Sequence, residues 1–516
     1  MRQNEDRRWQ MEDSLRSAGV PPAGYGGCSQ VALPPPPGRA FTPAAGDGFA
    51  TPRSHQPFAI FYLLFPILAL AGCAVGPNYH RPPVNAPPVF RGQTETSTNS
   101  FADLPWWQIF QDTNLQSLVG IALTNNYDLR IAFAREEQAR QLVFETRSEL
   151  FPQVDYNGIA ARGKNVVNTT PFPGSKGGYF VGDLEASWEV DLWGRVRRLT
   201  EAQRAQFFAA QESRRDVTIS LIAQVAQDYF QLLALDRQLQ IARDTTNSFG
   251  QSLKLFNEEL KGGVASRLET AAAEALMESA AATIPDFERQ IILQENQLSV
   301  LLGQNPEIIP RTSSSLDEQS VPAIPAGLPS ALLERRPDIR EAEQELHSAN
   351  AQVGVAVANF FPQISLTALF GQASPALTAV TAGSGRAWGY AGNLSGPIFR
   401  AGQFKAQYRE AKAARQESLL QYDLAILNAF EEVSDAIISF QKYGVAFSQQ
   451  AQAVAAYQDA VHVATERYRL GNANYYEVLQ QQQELFPAEN TLVQTRLNQL
   501  TSFVQLYRAL GGGWNN

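Results

Sequence analysis

The chain has 516 residues, of which 44% are hydrophobic and 18% are charged, and its formal net charge is −9. The acidic balance argues against nucleic acid as a partner. The four histidines are scattered, and no Ser/His/Asp arrangement or phosphate-binding loop is present, so the sequence predicts no enzymatic activity, no metal site and no cofactor.

The first predicted element is a signal peptide. Residues 58–70 form an apolar run of 13, which is too short to span a bilayer and is typical of a signal-peptide core. Leu70-Ala71-Gly72-Cys73 follows and resembles the bacterial lipobox. We therefore expect 58–72 to be a lipoprotein signal peptide and Cys73 to be lipidated; the alternative is a buried apolar segment that ends at an unrelated cysteine. Ala74, where an Asp would signal inner-membrane retention, favours the outer membrane.

The segments on either side of the signal peptide lack periodic apolar faces. Residues 1–57 are rich in Pro and Gly, and signal peptides begin within a few residues of their apolar core. This stretch is expected to be either an unstructured extension or the product of a misassigned start codon. The Pro-rich residues after Cys73 predict a tether over 73–104.

An internal duplication organises the rest of the chain. Phe151-Pro152-Gln153 returns 210 residues later as Phe361-Pro362-Gln363, and Gly263 returns 208 residues later as Gly471. Two halves that keep register over this length are two copies of one structural unit. The predicted first copy spans 105–304, the second spans 331–516, and 305–330 links them.

Each copy is predicted to contain a pair of short strands. Leu184, Ala186, Trp188 and Val190 alternate with polar residues, and we expect 183–190 to pair with 153–159 and 364–370 to pair with 388–394. Such segments are typical of transmembrane β-strands, although a soluble half-buried sheet has the same pattern. Four strands are too few to close in lipid, so spanning strands require an oligomer. The polar face would then place three acids towards a water-filled lumen: Asp183, Glu185 and Glu189. These acids either give the lumen a preference for cations or merely solvate the interior.

Very long helices follow the strands. Between Gly194 and Gly262, and again between Gly402 and Gly471, there is no proline and a single glycine, so each stretch predicts a helix of roughly 100 Å. The apolar stripe of the second helix repeats about every 3.5 residues, the coiled-coil period. Return helices are expected over about 264–302 and 475–509, kinked at Pro285 and Pro487, with turns at 260–266 and 468–477.

Several motifs resemble one family of membrane proteins. They are WWQIFQD (106–112), LPSALLERRPDIREAE (328–343), FFPQI (360–364), GPIFRAG (396–402) and YRALGGGW (507–514). In this order they are similar to the outer membrane factor family, the TolC-like and OprM-like efflux lipoproteins of NodT type. The resemblance implies an α+β membrane protein: a homotrimer with a twelve-stranded outer-membrane β-barrel, four strands per chain, and a periplasmic α-helical barrel.

The resemblance also implies a function and partners. The chain would be the outer-membrane exit duct of a tripartite efflux system, conducting drugs, metals or other toxic solutes from an inner-membrane RND-type pump through a periplasmic adaptor. Two alternatives stay open: a type I protein-secretion duct, and a lipid-anchored helical scaffold without a channel.

By the same resemblance, the helix turns form a periplasmic tip that closes at rest. Glu477, Glu269 and Tyr468 are gate candidates, although each acid could instead be a favourable first-turn residue and Tyr468 a core aromatic. The family's usual acid is Asp, and its second acid is Gln480 here, which departs from the pattern. Six turn residues are candidates for adaptor docking: Gly263, Val264, Ala265, Gly471, Asn472 and Ala473.

Overall fold

The computed structural model describes residues 74–93, 104–164, 176–311, 316, 319, 327, 329–379 and 385–512. The predictions for 1–57, for the signal peptide 58–72 and for Cys73 lie outside these residues. Among the residues that the structure describes, no helix is both long and apolar enough to cross a membrane.

The described elements alternate between helices and one sheet. In chain order they are α1 (Trp106–Ile109), α2 (Thr113–Asn125), α3 (Tyr127–Ser148), β1 (Gln153–Lys164), β2 (Lys176–Val190), α4 (Arg195–Lys261), α5 (Arg267–Ala281), α6 (Thr283–Leu301), α7 (Pro329–Arg335), α8 (Pro337–Ala358), β3 (Gln363–Ser374), a 3₁₀ turn (Leu377–Ala379), β4 (Arg386–Ser395), α9 (Gln403–Arg469) and α10 (Tyr475–Ala509). The order α3–β1–β2–α4 recurs as α8–β3–β4–α9, so the predicted internal duplication and α+β class are confirmed.

The four strands form one antiparallel sheet in the order β1-β2-β3-β4. Both predicted hairpins are present, with Gln153 opposite Ser187 and Gln363 opposite Ser395. Each strand is longer than the alternating segment from which it was predicted. A third pairing, of β2 with β3, joins the two halves of the chain into one sheet.

The long helices α4 and α9 each have 67 residues, which corresponds to roughly 100 Å. Their predicted lengths are confirmed. No proline between the bounding glycines removes a backbone N–H, and the single internal glycine of each helix does not interrupt it. Near the sheet, α4 lies between α3 and α8, and α8 also contacts α9. Towards the other end, α4 contacts α5, α6 and α10, and α10 packs along α9.

The two return helices differ from each other. In the first copy the helix ends at Ala281, and a new helix begins at Thr283 with Pro285 in its first turn. There Pro285 removes no hydrogen bond, because the first N–H groups of a helix have no intrahelical partner. In the second copy α10 has 35 residues and continues through Pro487, so Pro487 does not end the helix, and the kink there stays a prediction. Packing of α10 against α9 offsets the one lost helical bond.

The main hydrophobic core lies in the middle of the long helices. It joins α2, α4 and α10, and its largest buried side chains include Leu115, Tyr229, Phe503 and Tyr507. The N-terminal segment reaches this core, where Phe90 is buried. Nearer the sheet the same segment is held by Arg198, whose guanidinium donates to the Val75 and Gly76 carbonyls and to Asn78 Oδ1.

Candidate functional site

One face of the sheet is apolar and exposed. Residues directly opposite each other on neighbouring strands share a face, and the register brings even-numbered residues of all four strands together. Most of the large side chains among them are apolar, and Tyr156 and Tyr390 are 87% and 84% exposed. The others that are exposed on this face are Val154, Leu184, Leu366, Phe370, Trp388 and Leu394. A continuous apolar surface of this kind marks a contact with lipid or protein.

Most side chains of the opposite face are polar or small. This face carries Asp155, Asn157, Asp183, Glu185, Ser187, Ser365, Thr367 and Asn393. Of the three predicted lumen acids, Asp183 and Glu185 lie on this face within the strand.

Glu189 also lies on the polar face, but close to the helices. It accepts two hydrogen bonds from Arg195 in the first turn of α4, at 2.9 and 2.8 Å. The same guanidinium lies 3.4 Å from Glu149. The Glu189 carboxylate is therefore charge-compensated, and it ties the end of β2 to the long helix.

At the far end of the long helices, two turns share one geometry. Gly263 has φ +75° and Gly471 has φ +70°, a region that L-residues with a Cβ rarely adopt. Val264 N donates to the Glu259 carbonyl and Asn472 N to the Arg467 carbonyl, which are the 6→1 bonds of a Schellman motif. The duplicated glycines thus end both long helices in the same way.

Tyr468 joins the two hairpins at this tip. Its hydroxyl donates to Glu259 Oε1 at 2.5 Å, so α9 is bound to α4. The bond to the Glu259 carboxylate, together with burial, raises the pKa of Tyr468 to about 12. The Tyr468 ring also packs edge-on against Tyr475, with 4.9 Å between ring centroids.

A small buried cluster lies behind Tyr468. Tyr475 packs against Phe256, and its hydroxyl lies 2.8 Å from the Oγ of Ser252, which is fully buried. Ser252 also donates to Gln482. Because Ser252 belongs to α4 whereas Tyr475 and Gln482 belong to α10, this cluster is a second connection between the hairpins.

Glu477 pairs within its own hairpin. Its Oε2 lies 2.8 Å from Arg467 Nη1, and both side chains are about half exposed. Because Arg467 lies in the last turn of α9 and Glu477 in the first turn of α10, this ion pair spans only the turn around Gly471.

Glu269 caps its own helix and contacts the other hairpin. It forms a capping box with Ser266, whose backbone N–H donates to Glu269 Oε2 at 2.6 Å. Asn474, the N-cap of α10, donates to Glu269 Oε1 at 3.5 Å. The backbone and hydroxyl of Ser266, followed by the Asn474 amide, hold the pKa of Glu269 below its ordinary value.

The outermost surface of the tip carries several exposed apolar side chains. Val264 and Leu268 are 81% and 79% exposed, and Leu470 and Tyr476 are also exposed. Among the predicted turn residues, Gly263, Gly471 and Asn472 are exposed as well, whereas Ala265 and Ala473 are half-buried.

Sequence reasoning did not identify Glu259, Arg467 or Asn474 as partners at the tip. Glu259 and Tyr468 lie 209 residues apart, so their contact depends on how two hairpins pack. Arg467 had a weak signal, because a basic residue in the last turn of α9 faces the acidic first turn of α10 across a short turn.

Several acids lie between α4 and α8 in the layer nearer the sheet. Glu341 and Glu345 line a cavity of about 620 Å³ together with Asp128, Arg135 and Arg214. Burial, followed by the neighbouring Glu345, raises the pKa of Glu341 to about 7. Among the described residues, no group of acids, histidines and cysteines is arranged to hold a metal ion.

Known proteins resemble this chain both in sequence and in structure. The sequence profile of the outer membrane efflux protein family matches residues 118–304 and 328–512. The chain is 35% identical over 453 residues to the toluene efflux pump outer membrane protein TtgC of Pseudomonas putida, covering 86% of this chain and 93% of that protein. It is 33% identical over 450 residues to the cation efflux system protein CusC of Escherichia coli, covering 87% and 97%. The open state of the Neisseria gonorrhoeae MtrE outer membrane channel superposes with a TM-score of 0.79 at 31% identity, covering 86% and 98%.

Proposed function

Because this chain belongs to the outer membrane efflux protein family and is an outer-membrane exit duct, we propose that it works as a homotrimer that passively conducts small toxic solutes. The observation that carries the proposal is the sheet, which has one exposed apolar face and one polar face and continues directly into helices of 67 residues. Lipid would cover the apolar face, and the polar face would line water.

Assembly follows from the free edges of the sheet. The outer strands β1 and β4 each have one neighbour in the order β1-β2-β3-β4, and an open strand edge is not tolerated in lipid. Three copies would supply twelve strands and close the ring. The helical layer supports the same arrangement, since large apolar side chains are exposed on its outer helices: Ile131, Phe133, Leu142 and Phe144 on α3, Ile292, Leu293 and Val300 on α6, and Leu420, Leu424 and Leu427 on α9.

The helical tip is the proposed contact with a periplasmic adaptor, which would connect the duct to an RND-type inner-membrane pump. The exposed apolar residues Val264, Leu268, Leu470 and Tyr476 favour a protein partner over water. The adaptor would reach the backbone of both turns at Gly263, Ala265, Asn472 and their neighbours.

The resting tip would be held shut by the contacts that join different hairpins. Tyr468 with Glu259, and Glu269 with Asn474, connect the hairpins and must break if the hairpins move apart. The pair of Arg467 and Glu477 lies inside one hairpin and would survive that motion. We therefore assign the latch to Tyr468 and Glu269, and we assign to Glu477 a part in shaping the turn and the charge near the aperture.

The membrane end would prefer cations. Asp183 and Glu185 lie on the polar strand face, and threefold repetition would give six carboxylates in a narrow lumen, which attract cations. Cys73 would add a lipid anchor in the outer membrane. Metabolic labelling with palmitate, lost in Cys73→Ser, tests that assignment.

Solute flux through the purified protein tests the function. Proteoliposomes that contain the latch variant Tyr468→Phe should swell in solutions of small sugars. Adding Asp183→Asn should lower the preference for cations over anions without abolishing swelling. A protein that has the mass of three chains and yet leaves the liposomes as impermeable as protein-free ones in every solute, even with the latch variant Tyr468→Phe, would contradict the proposal.

A further inference from the structure

A groove crosses the apolar face of the sheet. The strand pairings place in one row, across β1, β2, β3 and β4, the residues Gly158, Gly182, Gln372 and Arg386. All four have even numbers, so they lie on the exposed apolar face. A Cβ added to Gly158 or to Gly182 would meet no atom within 4 Å. The two glycines therefore form an open floor over β1 and β2.

Large side chains form the wall of this groove on the side nearer the helices. They belong to the next row of paired residues and are between 51% and 87% exposed: Tyr156, Leu184, Phe370 and Trp388. The cavity above the floor measures about 530 Å³, a volume typical of ligand-binding pockets. Gln372 and Arg386 line this cavity together with Gly182 and three of the wall residues.

The groove ends at two polar groups, on β3 and β4. The Arg386 side chain is exposed, and within the described part of the chain its guanidinium makes no hydrogen bond or ion pair. Gln372 lies opposite it, and the buried Oε1 of Gln372 has no hydrogen-bond donor among the described residues. Beside lipid, an unpaired cation and an unpaired amide oxygen both carry a desolvation cost, which a suitable headgroup would remove.

The row slopes relative to the membrane. Counted from the strand ends nearest the helices, Gly158 lies five residues along β1, Gly182 eight along β2 and Arg386 nine along β4. At roughly 3.3 Å per residue, Arg386 is about 30 Å along its strand, which a strand tilt of roughly 40° converts to about 23 Å of height. The apolar band of a membrane barrel is about 25 Å tall. Arg386 therefore lies at the level of the outer headgroups, and the floor descends from it towards the acyl chains.

We propose that the groove binds one glycolipid of the outer leaflet. Its headgroup phosphate contacts Arg386, a sugar hydroxyl donates to Gln372 Oε1, and an acyl chain lies over Gly182 and Gly158. The proposal rests on the membrane-spanning sheet inferred above and adds a lipid site to it.

The two polar groups select the headgroup. Two oxygens of a phosphate accept parallel N–H bonds from one guanidinium, which an uncharged headgroup cannot match. The phosphate diester of a phospholipid has no hydrogen to donate to the Gln372 oxygen, whereas a sugar hydroxyl donates one. A phosphorylated glycolipid therefore satisfies both groups, and its acyl chain covers the wall formed by Leu184 and Phe370.

Arg162 offers a matched control. It is exposed, lies on the same face and is nine residues from the end of β1 nearest the helices. Its partner on β2 is Gly178, where an added Cβ would lie 2.6 Å from the Phe180 ring. The space beside Arg162 is therefore filled, so this arginine has the charge and the depth of Arg386 without the groove.

Binding of lipid A, an acylated and phosphorylated disaccharide, to the purified protein tests the site. Native mass spectrometry should show up to one lipid A per chain. Arg386→Gln should weaken this binding by about ten-fold or more, because it removes a charge-assisted contact. Gly182→Leu should abolish it by filling the floor. Arg162→Gln and Gly389→Leu should leave it unchanged, since Gly389 is equally open but lies on the polar face.

Three results would overturn the groove as a glycolipid site. Equal weakening by Arg386→Gln and Arg162→Gln would show that only the charge at this level attracts lipid. Lipid A bound as tightly by Gly182→Leu as by the parent, or phosphatidylcholine bound as tightly as lipid A, would remove the acyl-chain contact or the headgroup selection. Displacement of lipid A by an equal concentration of inorganic phosphate would leave a phosphate site only.

Conductance separates the lipid site from the duct. Current steps in planar bilayers from a protein that binds no lipid A overturn the lipid site and leave the duct standing. A Leu184→Arg variant that reaches the outer membrane with the parent's yield of folded protein would show that lipid does not cover this face, and would overturn the lipid site and the proposed membrane face together.

Discussion

At the scale of single residues, the helices that a side chain joins decide its role at the tip. Glu477 and Glu269 occupy equivalent positions after Gly471 and Gly263, yet Glu477 pairs with Arg467 in its own hairpin whereas Glu269 reaches Asn474 in the other. Equivalent positions in a duplicated chain therefore make different contacts, because their neighbours differ.

Removing the Tyr468 hydroxyl should loosen the closed tip. The bond to Glu259 is half-exposed and would stabilise closure by about 1 kcal/mol, so Tyr468→Phe should raise the open probability roughly five-fold. Single-channel recording in planar bilayers measures this, and Tyr476→Phe at the same turn is the matched control. Equal open probabilities in both variants would exclude Tyr468 from the latch.

Glu341 should make the protein less stable as the pH rises towards neutrality. Burial, together with Glu345 and Asp216, raises the pKa of Glu341 from 4.5 to about 7. The folded state then holds this proton more tightly than the unfolded state, so stability falls as the pH rises between these values. Glu341→Gln should flatten that slope and gain on the order of 1 kcal/mol at pH 7 after allowance for solvent screening. Thermal unfolding at pH 5 and pH 7 measures it, and an unchanged slope would contradict the assignment.

At the scale of elements, the turns at the tip depend on backbone conformation. Gly263 has a positive φ, whereas its neighbour Gly262 has φ −79° with no close contact. Gly263→Ala should therefore destabilise the tip by about 1–2 kcal/mol, and Gly262→Ala should be neutral or slightly stabilising. Hydrogen exchange of the turn amides compares the two variants, and equal exchange rates would contradict the left-handed turn.

The two faces of β2 should respond differently to the same charge. Leu184→Arg on the apolar face should cost roughly 2–4 kcal/mol near the bilayer midplane, whereas Glu185→Arg on the polar face should be tolerated. The yield of folded protein in outer-membrane fractions measures this difference. Equal yields would mean that lipid does not cover the Leu184 face.

Elements were predictable from the sequence wherever the signal was local. The long helices followed from missing prolines, and the strands followed from alternation around Leu184 and Ile364. The continuation of α10 through Pro487 was not predictable, because packing against α9 overrides the local tendency of proline to end a helix. The bond between Tyr468 and Glu259 was also hidden, since it depends on two hairpins meeting after the whole chain has folded.

At the scale of the whole molecule, the duplication explains how one chain forms both membrane and periplasmic layers. Each half supplies two strands and one long helix, and the pairing of β2 with β3 aligns both halves in one sheet. A continuous passage then needs only that copies meet at the outer strands β1 and β4. The lengths of α4 and α9 fix how far the passage extends from the membrane.

The conductance of single purified particles in planar bilayers tests the continuous passage most directly. Particles with the mass of three chains should give discrete, cation-preferring current steps, which are longer-lived in Tyr468→Phe than in the parent protein. Three-chain particles that give no steps, even in Tyr468→Phe and under applied voltage, would contradict the account of this protein as a duct.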